Sequence, residues 1–131
     1  MKQTLSDHIV LAIWAAECAE HVLPLFEVHC PLDNRPRQAV DAARFWISGE
    51  LGVAAARQAA FAAHAAARAA IDPKAVASAR AAAHAAATAH VPTHAPHAAR
   101  YALKACNLVP GWEAEEAWQR LRLPVHRRRS D

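Results

Sequence analysis

Between Ala54 and Ala105 the chain is written almost wholly in alanine, broken by five histidines: His64, His84, His90, His94 and His97. Alanine has no side-chain rotamer entropy to lose and is the strongest helix former, so this stretch is committed to helix. It also brings little apolar area, at roughly 0.8 kcal/mol per buried CH₂. Cohesion must therefore come from close approach of helix backbones and from a few large residues: Trp14, Phe26, Phe45, Trp46, Phe61, Tyr101, Trp112 and Trp118. Glycine is scarce and β-branched runs are absent, which argues against a sheet. The stretch also nearly repeats itself. Residues 59–70 read AAFAAHAAARAA and residues 79–90 read ARAAAHAAATAH, so His64 and His84 fall at matching places. Consecutive helices with similar faces follow, in a bundle or a short α-solenoid-like stack; one repeat falls short of the three or more units a solenoid normally needs.

The fold class read from the sequence is all-α, a compact array of about six helices in an antiparallel or orthogonal bundle. A single helical domain is expected over residues 1–126, followed by a basic tail, 127–131, carrying Arg127, Arg128 and Arg129. Ser6 or Asp7 is placed to cap the first helix, which runs to about Val22 and is stopped or bent by Pro24. Residues 31–36, PLDNRP, read as a loop, with Asp33 or Asn34 capping the second helix and Pro36 in its first turn. Gly49 marks that helix's end. A third helix spans about Val53 to Ala70. Asp72 and Pro73 cap and start a fourth, to His90 or Val91, and Thr93 caps a fifth, to Cys106 or Asn107. The last is expected from Trp112 to Leu121, with Glu113, Glu115 and Glu116 in its first turn and Arg120 and Arg122 near its end, an order that complements the helix dipole.

Charge is unevenly distributed. Residues 1–50 carry four Lys/Arg against seven Asp/Glu, whereas residues 51–110 carry six against one, Asp72. The three cysteines, Cys18, Cys30 and Cys106, have no CxxC spacing and read as buried or semi-buried free thiols of a reducing compartment. The first residues lack the basic region and apolar core of a signal peptide, and no uninterrupted apolar run of membrane-spanning length is evident. A cytoplasmic protein is expected, without a membrane partner.

The residues that could carry chemistry are mostly histidines. On the third helix Phe61, His64 and Arg68 share a face; on the fourth His84 and Thr88 do. If these helices pack side by side, His64, His84 and one of His90 or His94 converge, and three imidazoles suit zinc with an open position. Against this, there is no HExxH, and carboxylates are nearly missing from the region. The plainer reading is structural: histidines and threonines hydrogen-bond across alanine-lined interfaces, for example to a carbonyl freed at the Pro92 break. No serine sits in a GxSxG turn, and there is no Gly-rich phosphate loop, so neither an enzyme nor a cofactor is expected. Arg57, Arg68, Arg80, Arg100 and Lys104 supply a basic helical surface that would serve a nucleic-acid-binding protein as the alternative function.

Several segments together resemble one family: DHIVLAIWAAECAEHVLPLFE (7–27), DNRPRQAVDAARFWISGEL (33–51), AARQAAFAAHAAARAA (55–70), AHAAATAHVPTHAPHAARYALKA (83–105) and EEAWQRLRLP (115–124). In order and wording they resemble the bacterial immunity proteins with an Imm-5-like domain, over nearly the whole chain. The resemblance implies an all-helical, non-enzymatic protein that neutralises a cognate toxin by direct binding, and it brings no catalytic residues. Immunity proteins against basic nucleases tend to be acidic, whereas this chain is net basic: either the acidic first part, with Glu17, Glu20, Glu27, Asp33 and Asp41, is the partner-binding surface, or the toxin is not a cationic nuclease. Alanine-rich faces also pack between subunits, so the chain is expected to be a monomer or a homodimer.

Overall fold

One helix, α4 (Pro73–Ala87), is enclosed by the others. Ala75, Ala77, Ser78, Ala79, Ala81, Ala82, Ala83, Ala85 and Ala86 are all buried, which leaves one narrow half-exposed stripe, Val76, Arg80, His84 and Ala87. A helix apolar over most of its circumference is a core helix, and alanine lets four neighbours reach its backbone. Those neighbours are α1 (Leu5–Glu27), α2 (Arg35–Ile47), α3 (Val53–Ala69) and α5 (His94–Asn107), while a short α6 (Glu115–Arg122) rests on α5. These elements come from a computed structural model that describes residues 5–112 and 114–123. Among the described residues there is no strand.

Helices distant in sequence meet directly: α1 packs on α4 and α5, and α2 on α4. Solenoid units touch only their neighbours, so of the two arrangements compatible with the sequence, the contacts select the bundle. The bulky part of the core comes from α1 and α2: Trp14, Val22, Leu23, Phe26 and Val40 are buried against the alanines. By length and mean hydropathy (1.6) α1 meets the standard of a membrane span. The sequence had not shown such a run, because Glu17, Glu20 and His21 break it by eye. Here its apolar stripe is covered by α2, α4 and α5.

Most helix ends follow their local signals. The Asp72 carboxylate accepts from the backbone N–H of Lys74 (2.9 Å) and Ala75 (3.3 Å), capping α4 as expected. Asn34 is the N-cap of α2 but makes no side-chain cap; Asp33 instead accepts from the Arg35 N–H at 3.1 Å. Gly49, at φ +84°, turns the chain after α2 in a conformation that side chains resist. Four boundaries differ from the sequence reading. Ser6 and Asp7 lie inside the first turn of α1 instead of capping it. That helix also continues through Pro24 to Glu27, because the proline faces solvent, where its ring and missing N–H are tolerated. α4 stops at Ala87, and α6 begins at Glu115 instead of Trp112. Glu113, Pro124 and the basic tail lie outside the described residues.

Candidate functional site

The near repeat at residues 59–70 and 79–90 brings its two histidines face to edge. The rings of His64 and His84 lie 5.2 Å apart at 85°. Each also has its own second neighbour. The Arg80 guanidinium donates to His64 Nδ1 at 2.6 Å, which places the His64 proton on Nε2. His84 Nδ1 and His94 Nδ1 share a hydrogen bond of 3.0 Å. His97 and Tyr101 complete the wall, with the phenol ring stacked on His84 at 5.4 Å and 10°. All of these except His97 are half-buried. Burial, with His64, His94, His97 and Arg80 close by, pushes the His84 pKa down to about 4. His64 is lowered by burial and then by Arg80, Arg68 and His94; His94 is lowered by burial and then by His97 and His90. At neutral pH the three rings are therefore uncharged.

His64, His84 and His94 converge as the spacing allowed, whereas the exposed His90 does not join their ring contacts. Convergence does not make a metal centre. Among the described residues no three His, Cys, Asp or Glu side chains are arranged to hold a metal ion. The physical obstacle is Arg80: its N–H occupies the lone pair of His64 Nδ1, and its fixed charge repels a cation. The carbonyl freed at the end of α4 is Thr88 O, and it is His8 of α1 that donates to it, at 2.5 Å.

The acidic first part is less acidic than its composition. Glu27 is held bidentately by Arg37 (2.6 and 2.7 Å), Glu20 by Arg44 (2.5 and 3.2 Å) and Asp33 by Arg35 (2.7 and 2.9 Å). The first two pairs join α1 to α2, so Arg37 and Arg44 do not form the ladder along α2 that their spacing with Asp41 suggests. The hydrogen bonds from Arg35 hold the Asp33 carboxyl below the usual carboxylate range. Glu17 lies near Arg44 and Asp41 near Arg37.

The basic residues fare differently. Arg57 sits over the Phe61 ring (5.9 Å), Arg80 turns onto His64, and Arg100 reaches His97 Nδ1 (3.2 Å); Arg68 and Lys104 are exposed. They are dispersed over three helices, α3, α4 and α5.

A second polar cluster lies where α6 meets α1. The Glu115 side chain is only 1% exposed, and its Oε1 sits 2.7 Å from His21 Nδ1 in a contact off the line of a good hydrogen bond. Gln119 Nε2 donates to Glu115 Oε2 (3.1 Å) and to the Ala99 carbonyl (2.8 Å), while the Trp14 indole donates to the Gln119 carbonyl (2.9 Å). The His21 ring is stacked on Trp118 at 3.8 Å, with Trp112 at 5.5 Å, beside an open cleft of about 220 Å³. Burial, and then Glu115, pushes the Cys106 thiol up to about 12, and burial likewise raises Cys18; both stay protonated and unreactive.

With the geometry in place, the chain can be set beside known proteins. The sequence pattern of the family described as "Imm-5 like putative immunity protein" matches residues 2–126, which takes in all six helices. The chain belongs to that family. No curated protein and no solved structure matches it. In this Imm-5 like protein the match spans both polar clusters.

The sequence reading gives Glu115 only a dipole-complementing place in the first turn of the last helix, and no partner on α1. A usable signal was present: Glu115, Trp118 and Gln119 fall at i, i+3 and i+4, one face of α6. A face holding a tryptophan is one the Imm-5 like fold has to cover.

Proposed function

We propose that this protein is a non-enzymatic immunity protein that neutralises a cognate bacterial toxin in the cytoplasm by binding it directly. The observation that carries this reading is the family match across the whole helical domain. A surface feature supports it. The α1–α2 and α3–α4 connections meet at one end of the bundle, where His29 contacts Asp72 at 3.5 Å. That end presents Leu32 at 98% exposure, Ile71 at 95% and Val28 at 75%. Aliphatic side chains so exposed gain from being covered by a partner.

Asp33 lies in the connection at this end and Glu27 at the adjoining end of α1, while Glu20, Glu17 and Asp41 stand farther along α1 and α2. Asp41 and Glu17, which among the described residues have no arginine at salt-bridge distance, are the first candidates to receive cations of the toxin. Glu20, Glu27 and Asp33 would take part by exchanging their own arginines for the partner's. The test is co-expression with each toxin encoded beside the gene, scored as growth rescue, followed by titration of the purified pair. Rescue with a 1:1 end point is expected, and the Leu32→Asp/Ile71→Asp variant should lose it while keeping its helical circular dichroism. Failure to rescue from every neighbouring toxin would overturn the reading. So would neutralisation by a small fraction of an equivalent, which would mean catalysis. Salt-steep binding of DNA or RNA would favour the nucleic-acid alternative.

A further inference from the structure

We propose that the junction of α3, α4 and α5, walled by His64, Arg80, His84, His94 and His97, is a binding site for a small oxyanion of the phosphate class. The first argument is a missing counter-charge. Every arginine of α2 is matched to a carboxylate, yet among the described residues Arg68, Arg80 and Arg100 have none within 4.0 Å. The single acid between residues 51 and 110 is Asp72, already engaged by Lys74, His29 and the cap of α4. A carboxylate therefore does not reach this junction from its own helices.

The second argument is donor capacity. A guanidinium has five N–H groups; in Arg80 one of them goes to His64. His84 and His94 point ring nitrogens at each other with one proton between them. Taking up a second proton breaks that bond and leaves two N–H donors, which a dianion would satisfy together. Half-burial matters here, since charge-assisted hydrogen bonds strengthen as water is excluded. The Tyr101 ring flat against His84 fixes that imidazole's plane.

Binding and protonation are then linked. The groups facing the site are His64 and Arg68 from α3, Arg80 and His84 from α4, His90 from the α4–α5 connection, and His94, His97, Arg100 and Tyr101 from α5. All that carry charge carry it positive. An oxyanion among them favours imidazolium, so it raises the histidine pKa values, and by reciprocity falling pH tightens its binding. A cation such as zinc would do the opposite.

The experiment is an NMR titration of the histidine ring resonances of the untagged full chain with inorganic phosphate, at constant ionic strength set with sodium chloride. Saturable shifts at His84 and His94 are expected; counted per phosphate dianion, whose own share falls with pH, the affinity should rise about thirtyfold between pH 7.5 and 6.0, as uptake of one proton by the site requires. Acetate in a parallel arm should bind more weakly, since it carries a single charge. Arg80→Gln should abolish saturation, Arg80→Lys should retain part of it, and Arg57→Gln should leave it unchanged. Linear, pH-independent shifts in the unmodified chain would overturn the proposal without relying on any variant. Acetate binding as tightly as phosphate, or one equivalent of zinc bound by these rings, would overturn it too.

Discussion

Acidification from pH 7.5 to 5.0 should destabilise the fold, with His84 as a principal cause. The unfolded chain protonates this residue near pH 6.5, whereas the folded chain holds it neutral until about pH 4. Between those values the unfolded state binds more protons, so stability is full above pH 6.5 and falls as pH drops towards 4. At pH 5.0 an unfolded His84 is almost wholly protonated and a folded one about one-tenth so. That difference is worth about 2 kcal/mol for a ring sealed from water. His84 is half-buried, and solvent screening reduces the figure to about 1 kcal/mol. His64 and His94, lowered in the same direction, add to it. Asp33 and Asp72, whose carboxyls are held low, contribute in the same sense only below about pH 4.5. Urea unfolding at pH 7.5 and 5.0, in buffer free of phosphate, should show a lower midpoint at pH 5.0 with an unchanged slope. In His84→Gln the gap between the two should shrink by about 1 kcal/mol. Equal midpoints at the two pH values, or an undiminished gap in the variant, would refute the reasoning.

Other outcomes follow from the packing. Gln119→Leu leaves the Ala99 carbonyl and Glu115 Oε2 without their donor in a buried setting, and should cost about 2 kcal/mol in equilibrium unfolding. Ala82→Leu forces three extra carbons into the fully buried face of α4 and should destabilise by at least about 2 kcal/mol, while Ala54→Leu on the exposed start of α3 should be nearly silent. Asp72→Ala should lower the melting temperature, and Asp72→Asn should recover most of the loss because an amide oxygen still caps α4; equal losses would mean the contacts with His29 and Lys74 matter more than the cap. Cys18 and Cys106 should resist alkylation in the folded chain while the less buried Cys30 reacts, a difference that mass spectrometry would read directly.

The helices were legible because the signals that start and stop them are local. Asp72 and Pro73 lie side by side, and Gly49 supplies its own positive φ. The meeting of His64 and His84 was legible because consecutive helices joined by a short turn must lie together. What stayed hidden depended on partners far along the chain. Trp14 and Gln119 are 105 positions apart, and nothing near either one announces the other. Glu115 looked like a dipole-complementing surface acid, because that role and a buried hydrogen-bonded one place the same residue in the same first turn. The acids of α1 looked like a docking patch for a related reason. Their arginines stand on α2, and ladder spacing within α2 offered those arginines a rival partner in Asp41.

A helix made of methyl groups is a nearly smooth rod, and smoothness has a consequence for α4. Leucines interlock and fix how far one helix has slid past another; alanines offer scarcely any ridge to catch. A one-turn slip of α4, which keeps its Val76, Arg80, His84 and Ala87 stripe outward, would present much the same surface to α1, α3 and α5. What sets its register is a handful of polar fasteners: Ser78 Oγ on the Val22 carbonyl at 2.8 Å, His8 on Thr88 O, and Arg80 on His64. In this protein the apolar core decides that the helices assemble, and these few polar residues decide at which notch they stop.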